Sequence, residues 1–166
     1  MALSPSTDRN TALLLWGMAA ACAVALGLAL LAQYVWDMRP CPWCVLQRAI
    51  FVVIGLLCAV GALVRSASVR VPVGALSLLL ALSGVAAAAW QHNVAAASSS
   101  CNLTFADKVV SGLALDTVLP SVFSATASCA EAAVSVLGVP FAYWSLALFL
   151  LLAVVAAAVV GRARRA

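Results

Sequence analysis

Charged side chains are missing from four long stretches of the chain, residues 10–36, 49–64, 71–106 and 132–161, and cluster in the breaks between them. Each stretch can hold a helix of about 20 residues, the length that crosses a hydrocarbon layer; the second does so once Cys44–Arg48 is added to it. The pattern predicts four membrane spans at about 12–33, 43–64, 71–91 and 141–161. Tyr34, Trp36 and Trp43 bracket the first of the two outer loops, and Tyr143 and Trp144 open the last span, at the level where amphipathic rings anchor helices. Ala, Leu and Gly in the first span, and Ser77, Ser83 and Gly84 in the third, permit close helix packing. The longest connection is 92–140. In it Leu113, Leu115, Val118, Leu119, Val122 and Phe123 predict a short amphipathic helix lying on the membrane surface, interrupted by Pro120. Residues 1–10 are polar and read as poorly ordered.

Composition agrees with this pattern. The 166 residues are 66% hydrophobic and 8% charged, with a mean hydropathy of +1.16, whereas a soluble domain carries about 25% charged residues. A soluble domain is excluded, and one four-span membrane domain over residues 1–166 accounts for the chain. The net charge of +4 calls for neither an acidic partner nor nucleic acid, because the basic residues flank the spans. Arg9, Arg65, Arg70, Arg162, Arg164 and Arg165 fall in the tails and the 65–70 loop, against Arg39 and Lys108 in the other loops. This asymmetry predicts both termini in the cytoplasm and loops 34–42 and 92–140 facing outward. In a bacterium that side is the oxidising periplasm, where disulfides persist. The first apolar run is too long for a signal-peptide core of about 7–15 residues. The expected fold is an all-α membrane protein: a four-helix transmembrane bundle whose long periplasmic loop carries a short amphipathic helix.

Four of the six cysteines, Cys41, Cys44, Cys101 and Cys129, lie on or beside the outward loops. Cys22 and Cys58 lie within spans and read as small buried hydrophobes. Pro42 suits the first position of a helix, which puts Cys41 at the N-cap and Cys44 in the first turn. Free N–H groups and the helix dipole favour a thiolate there. Cys41, Cys44 and Arg48 recur at i, i+3, i+7 on one face, with Arg48 roughly 6 Å along the axis from Cys44. Arg48 reads either as a residue snorkelling to the headgroups or as an intramembrane cation meeting an anionic or carbonyl group; burying it costs about 2.5–3.5 kcal/mol. Gln47 beside it can donate or accept hydrogen bonds without an evident assignment. His92, which ends the third span, reads either as an interfacial polar residue or as part of the chemistry.

The outward cysteines admit three readings. As staples, a 101–129 disulfide would contribute about 3.6 kcal/mol and a 41–44 disulfide only about 2 in the loop-entropy picture, so the Cys-x-x-Cys pair is a poor staple and a good redox pair. As a zinc site, the set lacks the second close Cys-x-x-Cys pair of zinc ribbons, and no metal is expected. As a relay, two dithiols exchange through mixed disulfides. A relay ending in a membrane needs a lipid-phase electron acceptor. No haem-ligand set, iron–sulfur spacing or dinucleotide motif is present, so a quinone fits by elimination.

Cys41-x-x-Cys44-x-x-x-Arg48 at the second span, His92 closing the third, Cys101 and Cys129-Ala130-Glu131 in the long loop, and Leu137-Gly138 and Trp144 before the fourth span resemble the bacterial disulfide bond formation protein B (DsbB) family over nearly the whole chain. The resemblance implies an inner-membrane thiol:quinone oxidoreductase that reoxidises a DsbA-like, thioredoxin-fold partner and passes electrons to ubiquinone or menaquinone. It implies that Cys101 meets the partner and pairs with Cys129, that Cys41 links transiently to Cys129, and that Cys44 faces the quinone with Arg48 supporting it and His92 nearby. The sequence departs from some family members at Gln47, where an acidic residue can stand, at Pro42-Trp43, at the Ala/Ser-rich stretch before Cys101, and at Pro140. Two other readings stand beside this one: a vitamin K epoxide reductase-like enzyme, whose loop cysteines usually precede the Cys-x-x-Cys, and a non-catalytic membrane scaffold with structural disulfides.

Overall fold

The computed structural model describes residues 5–64, 66–97 and 104–164; Arg65, Cys101 and Arg165 lie outside these. The elements are α1 (Pro5–Val35), α2 (Pro42–Leu63), α3 (Ala67–Asn93), a 3-10 turn (Ala95–Ala97), α4 (Phe105–Gly112), the single turns α5 (Leu115–Val118) and α6 (Pro120–Phe123), a hairpin of β1 (Ser135–Val136) and β2 (Val139–Pro140), and α7 (Phe141–Arg164). The helices α1, α2, α3 and α7 are long and apolar enough to cross a bilayer. The protein is an all-α, four-helix membrane protein.

The long helices run past the hydropathy limits, because a helix satisfies its own backbone hydrogen bonds whether or not its ends are in lipid. The helix α1 already starts at Pro5, correcting the expectation of poor order for residues 5–10, while residues 1–4 lie outside the described residues; proline suits a first helical position. The helix α3 starts at Ala67 and contains Pro72, a residue that reads from the sequence as part of the turn. Arg70 is not a solvated loop cation. It is fully buried, and its Nε–H donates to the carbonyls of Gly61 and Val64 at 3.2 and 3.0 Å, carbonyls that the end of α2 leaves without helical partners.

Packing is most extensive between α3 and α7 and between α1 and α2, with α2 against α3 next. At mid-bundle the Phe51 and Phe149 rings stack at 4.1 Å. Gly84 makes room for this pair, since a Cβ there would run into the Phe149 ring. Cys22 and Cys58 are both buried in this core. Cys58 lies 3.9 Å from the Met18 sulfur and 3.6 Å from the Ser77 hydroxyl. Leu15 and Val73 border Gly61, while Val159 and Val160 border Gly74. The start of α1 and the end of α7 therefore share one end of the bundle with the α2–α3 turn.

The amphipathic helix of the long connection is α4, at Phe105–Gly112, earlier than the expected 113–123. Thr104 and Asp107 close a reciprocal capping box at its start. Ala114 takes a left-handed conformation at φ 54°, and Pro120 cannot continue a helix. The 113–123 stretch consequently breaks into the single turns α5 and α6.

Candidate functional site

The site forms at the end of the bundle where α1 and α3 finish and α2 and α7 begin. Cys41 is the N-cap of α2, with φ −87° and ψ 168°, and its sulfur accepts the Cys44 N–H at 3.3 Å. Pro42 takes the first helical position. The Cys41 and Cys44 sulfurs lie 2.7 Å apart. Cys41 is fully buried and Cys44 half-buried.

Cys129 arrives from the far side of the chain. The Pro40 carbonyl accepts the N–H groups of Thr126 (3.0 Å) and Ala127 (3.2 Å), and the Tyr34 hydroxyl donates to the Ser121 carbonyl at 2.6 Å. These bonds lay the 121–127 strip along the first outer loop, and Cys129 then packs with Cys41, Ala95 and Ala132. Ser128 and Glu131 hold the turn around Cys129. The Glu131 carboxylate accepts the Ser128 N–H and hydroxyl, both at 2.8 Å, and the Glu131 N–H returns to the Ser128 hydroxyl at 3.3 Å. Those bonds, above all the one from the Ser128 N–H, hold the Glu131 carboxyl below its ordinary range.

The three sulfurs differ in electrostatics. The Cys41 thiol is pushed well above the usual thiol range, first by hydrogen bonding to Cys129, then by hydrogen bonding to Cys44 and by burial. Cys129 is drawn below that range because it accepts a hydrogen bond from Cys41, aided by the Trp43 N–H; burial and the nearby Cys44 work against this. The proton thus stays on the middle sulfur, and the free N–H groups at the start of α2 serve both loop-side sulfurs.

The remaining candidates are placed as follows. Arg48 is buried and reaches away from the surface. It donates to Gln33 Oε1 (2.6 Å) and the Val122 carbonyl (2.9 Å) through one terminal nitrogen, and to the Ala29 carbonyl (3.2 Å) through the other. It thereby ties α1, α2 and α6 together. The His92 ring lies against Tyr143 of α7, with centroids 4.5 Å apart. From α3 it is Gln91 that touches the dithiol, with its amide nitrogen 3.2 Å from the Cys44 sulfur. The sequence holds a signal for Gln91: the buried positions Ser77, Ala81, Gly84 and Ala88 recur every three or four residues, and the next step lands on 91. Cys101 lies outside the described residues.

Beside the sulfurs runs an apolar groove of about 450 Å³, lined among others by Trp43, Leu46, Ile50, Ala87, Trp90 and Phe105. Its size and walls fit a planar apolar ring. Trp43 forms part of its wall and also packs against the cluster that holds Cys41 and Cys129, so groove and sulfur cluster adjoin, while Cys44 and Arg48 share the other face of α2 and do not line the groove.

Four apolar helices and a cluster of three cysteine sulfurs at one bundle end define a multi-pass membrane protein built around thiol chemistry. The family model described as "Disulfide bond formation protein DsbB" matches residues 10–159. Similar relatives include disulfide bond formation protein B 1 of Pseudomonas syringae pv. syringae, 35% identical over 145 residues, which are 87% of this chain and 86% of the relative. Another is disulfide bond formation protein B of Herminiimonas arsenicoxydans, 30% identical over 146 residues, 87% of this chain and 92% of that one. The Burkholderia pseudomallei protein of the same name is 33% identical over 155 residues, 93% and 90% respectively. The chain belongs to the DsbB family.

Proposed function

We propose that the protein is a quinone-dependent protein-disulfide oxidase of the bacterial inner membrane, with both termini cytoplasmic and the cysteine end periplasmic. Its substrate is the reduced form of a DsbA-like dithiol oxidase, and its electron acceptor is ubiquinone or menaquinone. The observation that carries this reading is the position of Cys41 between Cys44 and Cys129.

In this scheme one thiolate of the partner attacks Cys101 of a Cys101–Cys129 disulfide, and Cys129 leaves as a thiolate. The partner's second thiolate then displaces Cys101, which leaves the partner oxidised and the loop pair reduced. Cys129 attacks the Cys41 sulfur of a Cys41–Cys44 disulfide, so the 41–129 bond forms, the 41–44 bond breaks, and the electron pair leaves on Cys44. Attack of Cys101 on Cys129 closes the loop pair again and releases Cys41, leaving Cys41 and Cys44 as a dithiol. The packing of Cys129 against Cys41, with the Trp43 N–H beside Cys129, favours the middle exchange.

A quinone bound beside Cys44 would serve as the sink for two electrons and two protons. The apolar groove would take its ring near Cys44; Arg48, whose nitrogens bond Gln33, Ala29 and Val122, and His92, against Tyr143, do not line that groove, so Arg48 would contribute a fixed positive charge from a distance. The direction is thermodynamically reasonable, because a partner near about −120 mV is recharged only by a more oxidising sink.

The test is the loss of quinone absorbance when purified protein, ubiquinone and a reduced DsbA-like partner are mixed, with menaquinone tried in parallel. Turnover that disappears in Cys44→Ser and in Cys101→Ser is the expected result. No quinone reduction by wild type with either quinone, its thiols intact, would overturn the proposal in favour of a scaffold with structural disulfides.

A further inference from the structure

We propose that Gln91 is a catalytic hydrogen-bond donor to the Cys44 sulfur and that Gln47 is the positioning residue that sets its orientation. The inference rests on Cys44 being a redox sulfur, as above.

Both amides are almost fully buried, at 6% and 4% exposure, at an apolar bundle end where a polar group without a partner is costly. The Gln91 nitrogen sits 3.2 Å from the Cys44 sulfur, and the Gln47 nitrogen donates to Gln91 Oε1 at 2.6 Å. A primary amide has two donors on nitrogen and only acceptors on oxygen, so it can turn either end to its neighbour. A sulfur carrying negative charge accepts only. In the structure Gln47 donates to the oxygen of Gln91, which leaves the N–H side for Cys44. When the 41–44 disulfide opens and the electron pair stays on Cys44, this donor is already in place and needs no rearrangement. The other titratable or charged groups around Cys44, among the described residues, are Cys41, Cys129 and Arg48.

Gln47→Met keeps the length of the side chain but brings neither a donor nor a charge, so nothing holds the Gln91 oxygen and the amide is free to turn it to the sulfur. Gln91→Leu removes the donor outright.

The experiment is site-resolved alkylation of Cys44 between pH 5 and 10 in the fully reduced, detergent-solubilised full-length protein, read by peptide mass spectrometry. Neither quinone nor partner is present, so the result is independent of quinone turnover. In Gln91→Leu the pH of half-maximal rate is expected to rise by about one unit, equivalent to about 1.4 kcal/mol, and in Gln47→Met to rise as well. A Gln47→Met profile superimposable on wild type would overturn the proposal, whatever happens to thermal stability and whether or not Gln91→Leu folds.

Discussion

At the scale of single residues, the division of labour among the sulfurs makes the site directional. Cys129 owes its depressed ionisation first to the hydrogen bond from Cys41. In the reduced protein its alkylation midpoint should lie below the ~8.5 of a free thiol. Cys41→Ala removes the donor while burial remains, so the midpoint should rise; Cys41→Ser keeps a donor and should hold it low. Alkylation rates of Cys129 against pH check both. Glu131 gives a second pH signature. Its carboxyl is depressed in the fold, so its contribution is complete above the ordinary glutamate value of about 4.3 and is lost as pH falls through the lower folded value. Amide exchange at Ser128, corrected for intrinsic rates, should therefore quicken only in acid. In Glu131→Gln it should already be faster at pH 7. The cap role of Cys41 was legible from the Cys-Pro pair alone. The proton's preference for Cys41 was not, because it depends on a residue 88 positions away.

At the scale of elements, the sequence resolved what a period of apolar residues can resolve. The four spans follow from the absence of charge. The start of α4 was also written locally, in Thr104-Phe105-Ala106-Asp107, a capping-box spacing that the stronger apolar pattern downstream obscured. Gln91 and His92 are adjacent, and only the rotation of α3, fixed by its packing, decides which one meets Cys44. Two substitutions probe element packing. Gly84→Ala places a methyl group against Phe149 and should destabilise by about 1–3 kcal/mol, read as a lower unfolding midpoint in detergent. Arg48→Ala removes the donor to Gln33 and to the Val122 and Ala29 carbonyls, all partly buried, and losing a hydrogen bond from a charged group costs about 1.5–3 kcal/mol. It should loosen α6, seen as faster amide exchange at 122–126 as well as weaker use of quinone. Arg48→Lys, with a compact ammonium in place of the fork, should restore only part of the protection.

At the scale of the whole molecule, the start of α1 and the end of α7 lie at one end of the bundle and the sulfur cluster at the other, which fits the proposed orientation. In intact cells stripped of their outer membrane, an impermeant maleimide should label reduced Cys129 and spare a cysteine introduced by Arg164→Cys. Equal labelling of both, without permeabilisation, would contradict the proposed orientation. The approach of the 124–131 strip to the first outer loop had no local signature, because it is made by main-chain bonds onto one carbonyl, that of Pro40. Those two bonds also have a kinetic consequence. Cys129 and Cys41 already share one chain, and these bonds shorten the free tether between them to the few residues that separate Ala127 from Cys129 and Pro40 from Cys41. Even a loose tether gives an effective concentration on the order of millimolar, and a well-oriented one exceeds any concentration a dissolved thiol can reach. In the proposed relay, small thiols diffusing past the membrane surface would therefore compete poorly for the Cys41–Cys44 pair, and electrons would enter chiefly through the loop.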